Sequence, residues 1–119
     1  MGSPVMWFEI TSTDPARSRE FYTQLFDWSA DAPPELGGYT LIDTGAPAET
    51  VGGGIGAADP GGLAPGILLY VRVEDLAATL ARAEQLGGAT LQPPTELPAD
   101  SGSVAVLADP DGYAVGLWA

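Results

Sequence analysis

In Pro4-Val5-Met6-Trp7-Phe8-Glu9-Ile10 a strand-like alternation separates two kinds of chemistry. A period of two puts Met6, Phe8 and Ile10 on one face and Val5, Trp7 and Glu9 on the other. An indole can stack on a planar ring or on a cation. A carboxylate beside it can accept hydrogen bonds or, with its pKa raised by burial, serve as a general base. The run Gly66 to Val73, GILLYVRV, repeats the arrangement: Leu69, Val71 and Val73 suit a core, and Leu68, Tyr70 and Arg72 take the opposite face. Near the C-terminus Ala114, Gly116 and Trp118 share a face. Trp7, Glu9, Leu68, Tyr70, Arg72, Gly116 and Trp118 therefore form the candidate ligand-binding set, aromatic and aliphatic walls with a few polar groups to fix orientation. Glu9 is the candidate catalytic residue. The plainer readings are that the tryptophans fill space and that Glu9 and Arg72 make a structural ion pair.

The elements that must hold these residues are short and turn-rich, as 16 Gly and 11 Pro in 119 residues require. After the first strand, Thr13 or Asp14 can cap a helix whose first turn suits Pro15. Phe21, Tyr22, Leu25 and Phe26 recur at helical spacing until Asp27-Trp28 and the Pro and Gly pairs beyond end it. Tyr39 to Asp43 reads as a short strand. The glycine cluster from Val51 to Gly56 lacks the Lys-Ser/Thr ending of a phosphate loop and has no helix after it, so it reads as a strand packed against a close neighbour. In the second half Glu74-Asp75 opens a helix with Leu76, Leu80, Ala83 and Leu86 on one side, closed by Gly87-Gly88. Strands follow at about Ala89 to Gln92, Ser103 to Ala108 and Tyr113 to Trp118, the last two joined by the turn Asp109-Pro110-Asp111-Gly112.

The halves repeat. A shift of 61 residues lays Trp7 on Leu68, Ile10 on Val71, Asp14 on Asp75, Gln24 on Gln85 and Leu25 on Leu86. Each half reads as a strand, a helix and about three strands, a unit that cannot bury its own faces well alone. The expectation is one domain over 1–119, with module one at about 4–56, a linker at about 57–65 and module two at about 66–119.

Composition excludes several functions. A net charge of −12, from 16 acidic residues against four basic ones, repels phosphate backbones and anionic lipid and leaves a cationic ligand electrostatically favoured. No apolar run approaches the ~20 residues that cross a bilayer, and the N-terminus has no apolar signal core. With neither Cys nor His there is no thiolate, no imidazole base and no zinc–thiolate site. An all-oxygen Mg²⁺ or Ca²⁺ site using Glu9, Asp43 or Glu49 stays open.

The segment FEITSTDPARSREFYTQLFDW at Phe8 to Trp28 resembles the opening of the glyoxalase/bleomycin-resistance/dioxygenase family, the vicinal oxygen chelate superfamily. VRVEDLAATLARAEQLGGATLQPPTELP at Val71 to Pro98 and VLADPDGYAVGLW at Val106 to Trp118 resemble its second module, closest to the branch of predicted enzymes related to lactoylglutathione lyase. The resemblance implies an α+β fold: two tandem βαβββ modules forming a curved-sheet cleft, helices on the outer face, often a homodimer, often with a metal held by His and Glu. Trp7 and Leu68 stand where first-strand histidines of the two modules commonly sit, and Gly116 where a final-strand Glu is expected. The fourth ligand position falls within Val51 to Gly56, which offers no donor.

The expected function is therefore that of a glyoxalase/bleomycin-resistance-like protein without the usual metal ligands, binding a small aromatic or cationic molecule in its cleft. The alternatives are a metal-independent isomerase, lyase or cyclase using Glu9 or a tyrosine for proton transfer, and a non-catalytic dimeric module. No cofactor is expected. The expected partners are a small-molecule ligand and a second copy of the chain, with no nucleic acid and no membrane, in the cytoplasm.

Overall fold

A computed structural model describes residues 2–45, 51–58 and 64–119. Most of the expected linker, and Glu49 with it, lie outside those residues. The described chain runs β1 (Val5–Ser12), α1 (Pro15–Phe26), β2 (Ser29–Asp31), β3 (Thr40–Asp43), β4 (Gly52–Ala57), then β5 (Gly66–Arg72), α2 (Leu76–Gln85), β6 (Ala89–Glu96), β7 (Ser103–Ala108) and β8 (Ala114–Trp118). This is an α+β chain in which βαβββ occurs twice. Two compact units result: Trp7–Ile67 in one, and Leu68–Ala119 with the residues up to Met6 in the other. The N-terminal residues join the second unit through the Arg72 amide, which donates to the Pro4 carbonyl at 2.9 Å.

Within each unit the strands follow one scheme. The first has the order β2-β3-β4-β1, and the second β6-β7-β8-β5. β1 pairs with β4 in parallel, as β5 pairs with β8, and the remaining neighbours are antiparallel. A parallel pair cannot be joined by a tight hairpin, so each module carries its first strand over through a helix.

Local chemistry starts and stops the helices where it should. Asp14 caps α1, its carboxylate accepting from the Arg17 amide at 3.2 Å, and Pro15 stands in the first turn, where a missing N–H costs nothing. Asp27 ends it in the left-handed region at φ 58°. Asp75 caps α2 the same way, from the Ala78 amide at 3.0 Å. Asp109 proves to be a turn former: its carboxylate accepts from the amides of Asp111 and Tyr113, both at 2.9 Å.

Each module has its own core. In the first, Ile10, Ile42 and Ile55 are buried together, with Phe8, Tyr22, Trp28 and Ala30 packed against them. Tyr22 and Trp28 stack at 6.0 Å, and Phe8 meets Trp28 at 5.7 Å. In the second, Leu76, Leu80, Ala105 and Leu117 are buried, with Val71, Val73 and Leu107 beside them. Alternation thus assigns Phe8, Ile10, Val71 and Val73 to the helix-backed faces, as the sequence predicts.

Three details depart from the sequence reading. The three-residue strand β2 follows Trp28 directly, a stretch too short to show a period of its own. Phe21, Leu25 and Phe26 do not follow Tyr22 inward, and Leu69 and Leu86, expected in the second core, do not join it; all five remain more than half exposed. β6 continues past Gln92 to Glu96 through Pro93 and Pro94; it ends the strand order of its unit and shifts register twice against β7, a place where proline is tolerated. Among the described residues no helix is long and apolar enough to cross a membrane.

Ile55 is fully buried at the centre of the first core. Ile55→Ala is expected to lower the unfolding free energy by about 2–5 kcal/mol, seen in urea titration as a lower midpoint at unchanged slope. A loss below about 1 kcal/mol would contradict this placement of the core.

Candidate functional site

The parallel register of β1 and β4 sets Trp7 opposite Gly52, Glu9 opposite Gly54 and Thr11 opposite Gly56. Side chains of paired residues point the same way, so the face carrying Trp7 and Glu9 is bare along β4. That bareness is used. A Cβ on Gly54 would fall inside the Tyr39 ring, one on Gly56 would press the same ring at 3.2 Å, and one on Gly52 would come within 2.9 Å of the Trp7 indole. Gly53 points to the other face, where a Cβ would collide with the ring of Phe8. The glycine cluster is a strand whose two faces are each covered by a neighbour's aromatic ring.

Over this floor lies a chain of hydrogen bonds. The Trp7 Nε1–H donates to the Tyr39 hydroxyl oxygen at 3.0 Å, and the Tyr39 hydroxyl donates to Glu9 Oε1 at 3.1 Å. The hydroxyl of buried Thr11 donates to Glu9 Oε2 at 3.4 Å. Burial pushes the Glu9 carboxyl above its ordinary value of 4.5, since a charge is costly where water is excluded; the Tyr39 and Thr11 hydroxyls, which favour the charged form, pull it part of the way back. Two opposed effects act on one half-buried carboxylate that also sits beside an indole. Such a group can accept a hydrogen bond from a ligand or hold a proton taken from one.

The second unit builds a related face. Tyr70 pairs with Gly116 across β5 and β8, and a Cβ on Gly116 would meet the Tyr70 ring at 2.5 Å. Leu68 and Tyr70 are buried. The Arg72 guanidinium lies 5.8 Å from the centroid of the Trp118 ring, within cation–π range. The Trp118 Nε1–H donates to the Ser101 carbonyl at 2.8 Å. That bond anchors a loop in which Ala99 and Asp100 take left-handed φ values of 57° and 54°.

The structure accordingly brings Trp7 and Glu9 together in one unit, and Tyr70, Gly116, Arg72 and Trp118 in neighbouring pairs in the other. Neither Trp7 nor Trp118 belongs to its module's helix-backed core as Trp28 does. Sequence reasoning missed Tyr39 and Thr11. Thr11 follows Ile10 and reads as a strand end. Tyr39 begins a segment in which Leu41 and Ile42 are both apolar, so alternation does not say which face the tyrosine takes. The usable signal was the spacing of Gly52, Gly54 and Gly56, three gaps on one face that need a large neighbour to cover them.

The residues present do not suit the divalent metal common in proteins that resemble this chain. Trp7, Leu68 and Gly116 offer no donor side chain at the three matched positions, and β4 is glycine apart from Ile55 and Ala57. Among the described residues no three His, Cys, Asp or Glu side chains converge as ligands. Glu9 and Asp43, the described members of the all-oxygen set, are thus not part of such a group.

Comparison with known proteins agrees with the fold. The family model for the Glyoxalase/Bleomycin resistance protein/Dioxygenase superfamily matches residues 5–117. The protein named "Putative glyoxylase CFP32" of Mycobacterium tuberculosis is 30% identical over 115 residues, covering 94% of this chain and 44% of its own length. The anthracycline biosynthesis protein DnrV of Streptomyces peucetius is 33% identical over 134 residues, covering 98% of this chain and 46% of its own. The chain therefore spans less than half the length of these relatives. Among solved structures, methylmalonyl-CoA epimerase from Mycobacterium tuberculosis superimposes with a TM-score of 0.64 at 18% identity, covering 96% of this chain and 85% of that one. A superfamily member from Vibrio splendidus 12B01 gives 0.62 at 13%, with 98% and 97% covered. Likeness at these identities speaks for the fold.

The raised pKa of Glu9 has a consequence for stability. The folded protein holds the Glu9 proton more tightly than the unfolded chain does, so this group's contribution is fully present below the ordinary value and is lost as pH rises through the folded one. Glu9→Gln removes that loss. The melting temperature of the variant relative to the unsubstituted protein is expected to be higher at pH 7 than at pH 4; a difference that stays constant or reverses would contradict the assigned burial.

Proposed function

The chain belongs to the glyoxalase/bleomycin resistance protein/dioxygenase superfamily, and on that premise we propose that it binds a small aromatic or cationic molecule, without a metal, on the Trp7, Tyr39 and Glu9 face of its first module. The observation that carries this reading is the hydrogen-bonded array itself: an indole and a carboxylate joined through the Tyr39 hydroxyl, with the Trp7 and Tyr39 rings laid over the glycines of β4. Such a mixture of apolar surface and a few fixed polar groups is how small-molecule sites are built. Trp7 would stack on a ring or a cation, and Glu9 would take a hydrogen bond from an N–H or O–H of the ligand. The net charge of −12 favours a cation over an anion. The relative named for anthracycline biosynthesis supports an aromatic ligand as one class to try. The metal-free part of the reading rests on the donor set, since imidazole and thiolate are missing from the sequence altogether.

A second reading is favoured by one observation, the upward push on Glu9. A carboxylate whose pKa is raised becomes a better general base, so the same face would serve an isomerase, lyase or cyclase step in which Glu9 accepts a proton. Binding comes first in both readings, and product analysis separates them.

The test is tryptophan fluorescence titrated with aromatic metabolites and cationic antibiotics, in the presence and absence of chelator. A saturable response is expected that ignores chelator, disappears in Trp7→Phe and weakens about tenfold or more in Glu9→Gln, the loss of one charge-assisted hydrogen bond. Recovery of a converted ligand would move the assignment to the enzyme. A response to divalent metal alone, or one that persists unchanged in Trp7→Phe, would overturn it.

A further inference from the structure

With Glu9 ionised and able only to accept, the order of donors in the first module's array is fixed. An indole Nε1–H can only donate, so at the 3.0 Å contact the Tyr39 oxygen is the acceptor. Its own hydrogen is then turned to the other side, where Glu9 Oε1 lies 3.1 Å away. The ring has no freedom to move the hydroxyl elsewhere, because Gly54 and Gly56 seat it directly on the backbone of β4. Thr11 fills a lone pair on the second carboxylate oxygen. We propose that Tyr39 is a positioning residue that holds Glu9 as a hydrogen-bond acceptor, passing the one-way polarity of the Trp7 indole on to the carboxylate.

Two features of the molecule make this more than a filled gap. Trp7, Glu9 and Thr11 lie on β1, whose register on β4 is fixed by backbone pairing, and Tyr39 directly precedes β3, with its ring against Gly54 and Gly56 of the same strand. The polarity also defines what the site can take. A carboxylate already fed by hydroxyls on its inner side has its remaining lone pairs to offer, and so selects ligands that present a donor: an ammonium, an amide N–H, a hydroxyl or an acidic C–H. An anionic group brought to the same place would meet a like charge. The inference rests on the proposed reading of this face as the binding site, and it names the ligand class and the residue that sets it.

The ligand-free protein provides the test, so its outcome does not depend on finding a ligand. With ¹⁵N-labelled tryptophan and ¹³C-labelled glutamate, the Trp7 indole N–H and the Glu9 carboxyl are followed together by NMR as pH is varied. In the unsubstituted protein the Trp7 resonance is expected to move at the Glu9 midpoint. In Tyr39→Phe, which keeps the ring on its glycine floor, that response should disappear and the Glu9 midpoint should rise, because a bond that favours the charged form is gone. Thr11→Val should shift Glu9 while leaving the Trp7 response intact. An indole that does not respond in the unsubstituted protein, or that responds equally in Tyr39→Phe, overturns the inference. The unsubstituted protein alone decides the first of these, should the variant fail to fold. Glu9 and Trp7 coupled through Tyr39 with no ligand found among those tried would leave the inference standing and count against the proposed function.

Discussion

The first module depends on a strip of backbone without side chains. Gly52, Gly54 and Gly56 bare one face of β4, and Gly53 bares the other, so rings from β1 and from Tyr39, just before β3, can lie against the strand on both sides. Glycine in a strand is unfavourable, about 0.5–1 kcal/mol each relative to alanine, because it loses more backbone freedom and brings no surface to pack. The rings offset this by supplying from neighbouring strands the surface that β4 lacks. The helix-backed face gains Phe8 beside Ile55, and the opposite face gains Tyr39. The hydrogen bonds of the candidate site follow from that second placement: with the tyrosine seated, its hydroxyl has an indole donor on one side and a carboxylate on the other.

The internal repeat shows how the two modules diverged under the same constraint. Glu9 and Tyr70 occupy equivalent places on the first strands of their modules, each opposite a glycine of the parallel neighbour. In the second module the ring over that glycine belongs to Tyr70 itself. In the first it is supplied by Tyr39, from the neighbouring segment. Borrowing the ring releases the first-strand position from its packing duty, and a carboxylate can occupy it. The same parallel pairing thus supports a filled position in one module and a carboxylate in the other.

Much of this was legible in the sequence, and the failures have physical causes. Asp14-Pro15 and Asp75 mark helix starts because an N-cap needs a side-chain acceptor at one position only, a local requirement that local residues reveal. The facing of β1 was legible because Met6, Phe8 and Ile10 are apolar while Glu9 is not. Tyr39 was not, because its facing is decided by β4, a partner separated from it in sequence and recognisable only by what its glycines omit. Phe21, Leu25 and Phe26 were over-read: helical spacing gives the width of an apolar stripe, but Tyr22 and Trp28 already fill the space above Ile10 and Ile55. The repeat was visible in the order of elements although few residues match, since topology depends on where polarity alternates and where turns fall rather than on identity.

A superfamily whose members often hold a metal through His and Glu is represented here by a chain without histidine, and Trp7 at the matched first-strand position changes more than one ligand. An indole cannot accept a hydrogen bond or bind a cation through nitrogen, but its N–H can orient whatever lies next to it. The work of arranging charge then falls to a neutral chain, indole to phenol to carboxylate. That chain places one negative charge, partly desolvated, at the edge of an aromatic surface. A metal centre would present positive charge to its ligand and favour oxygen anions; this arrangement presents the opposite sign. On the proposed reading, a molecule that suits this face therefore brings a hydrogen-bond donor or a positive charge to Glu9.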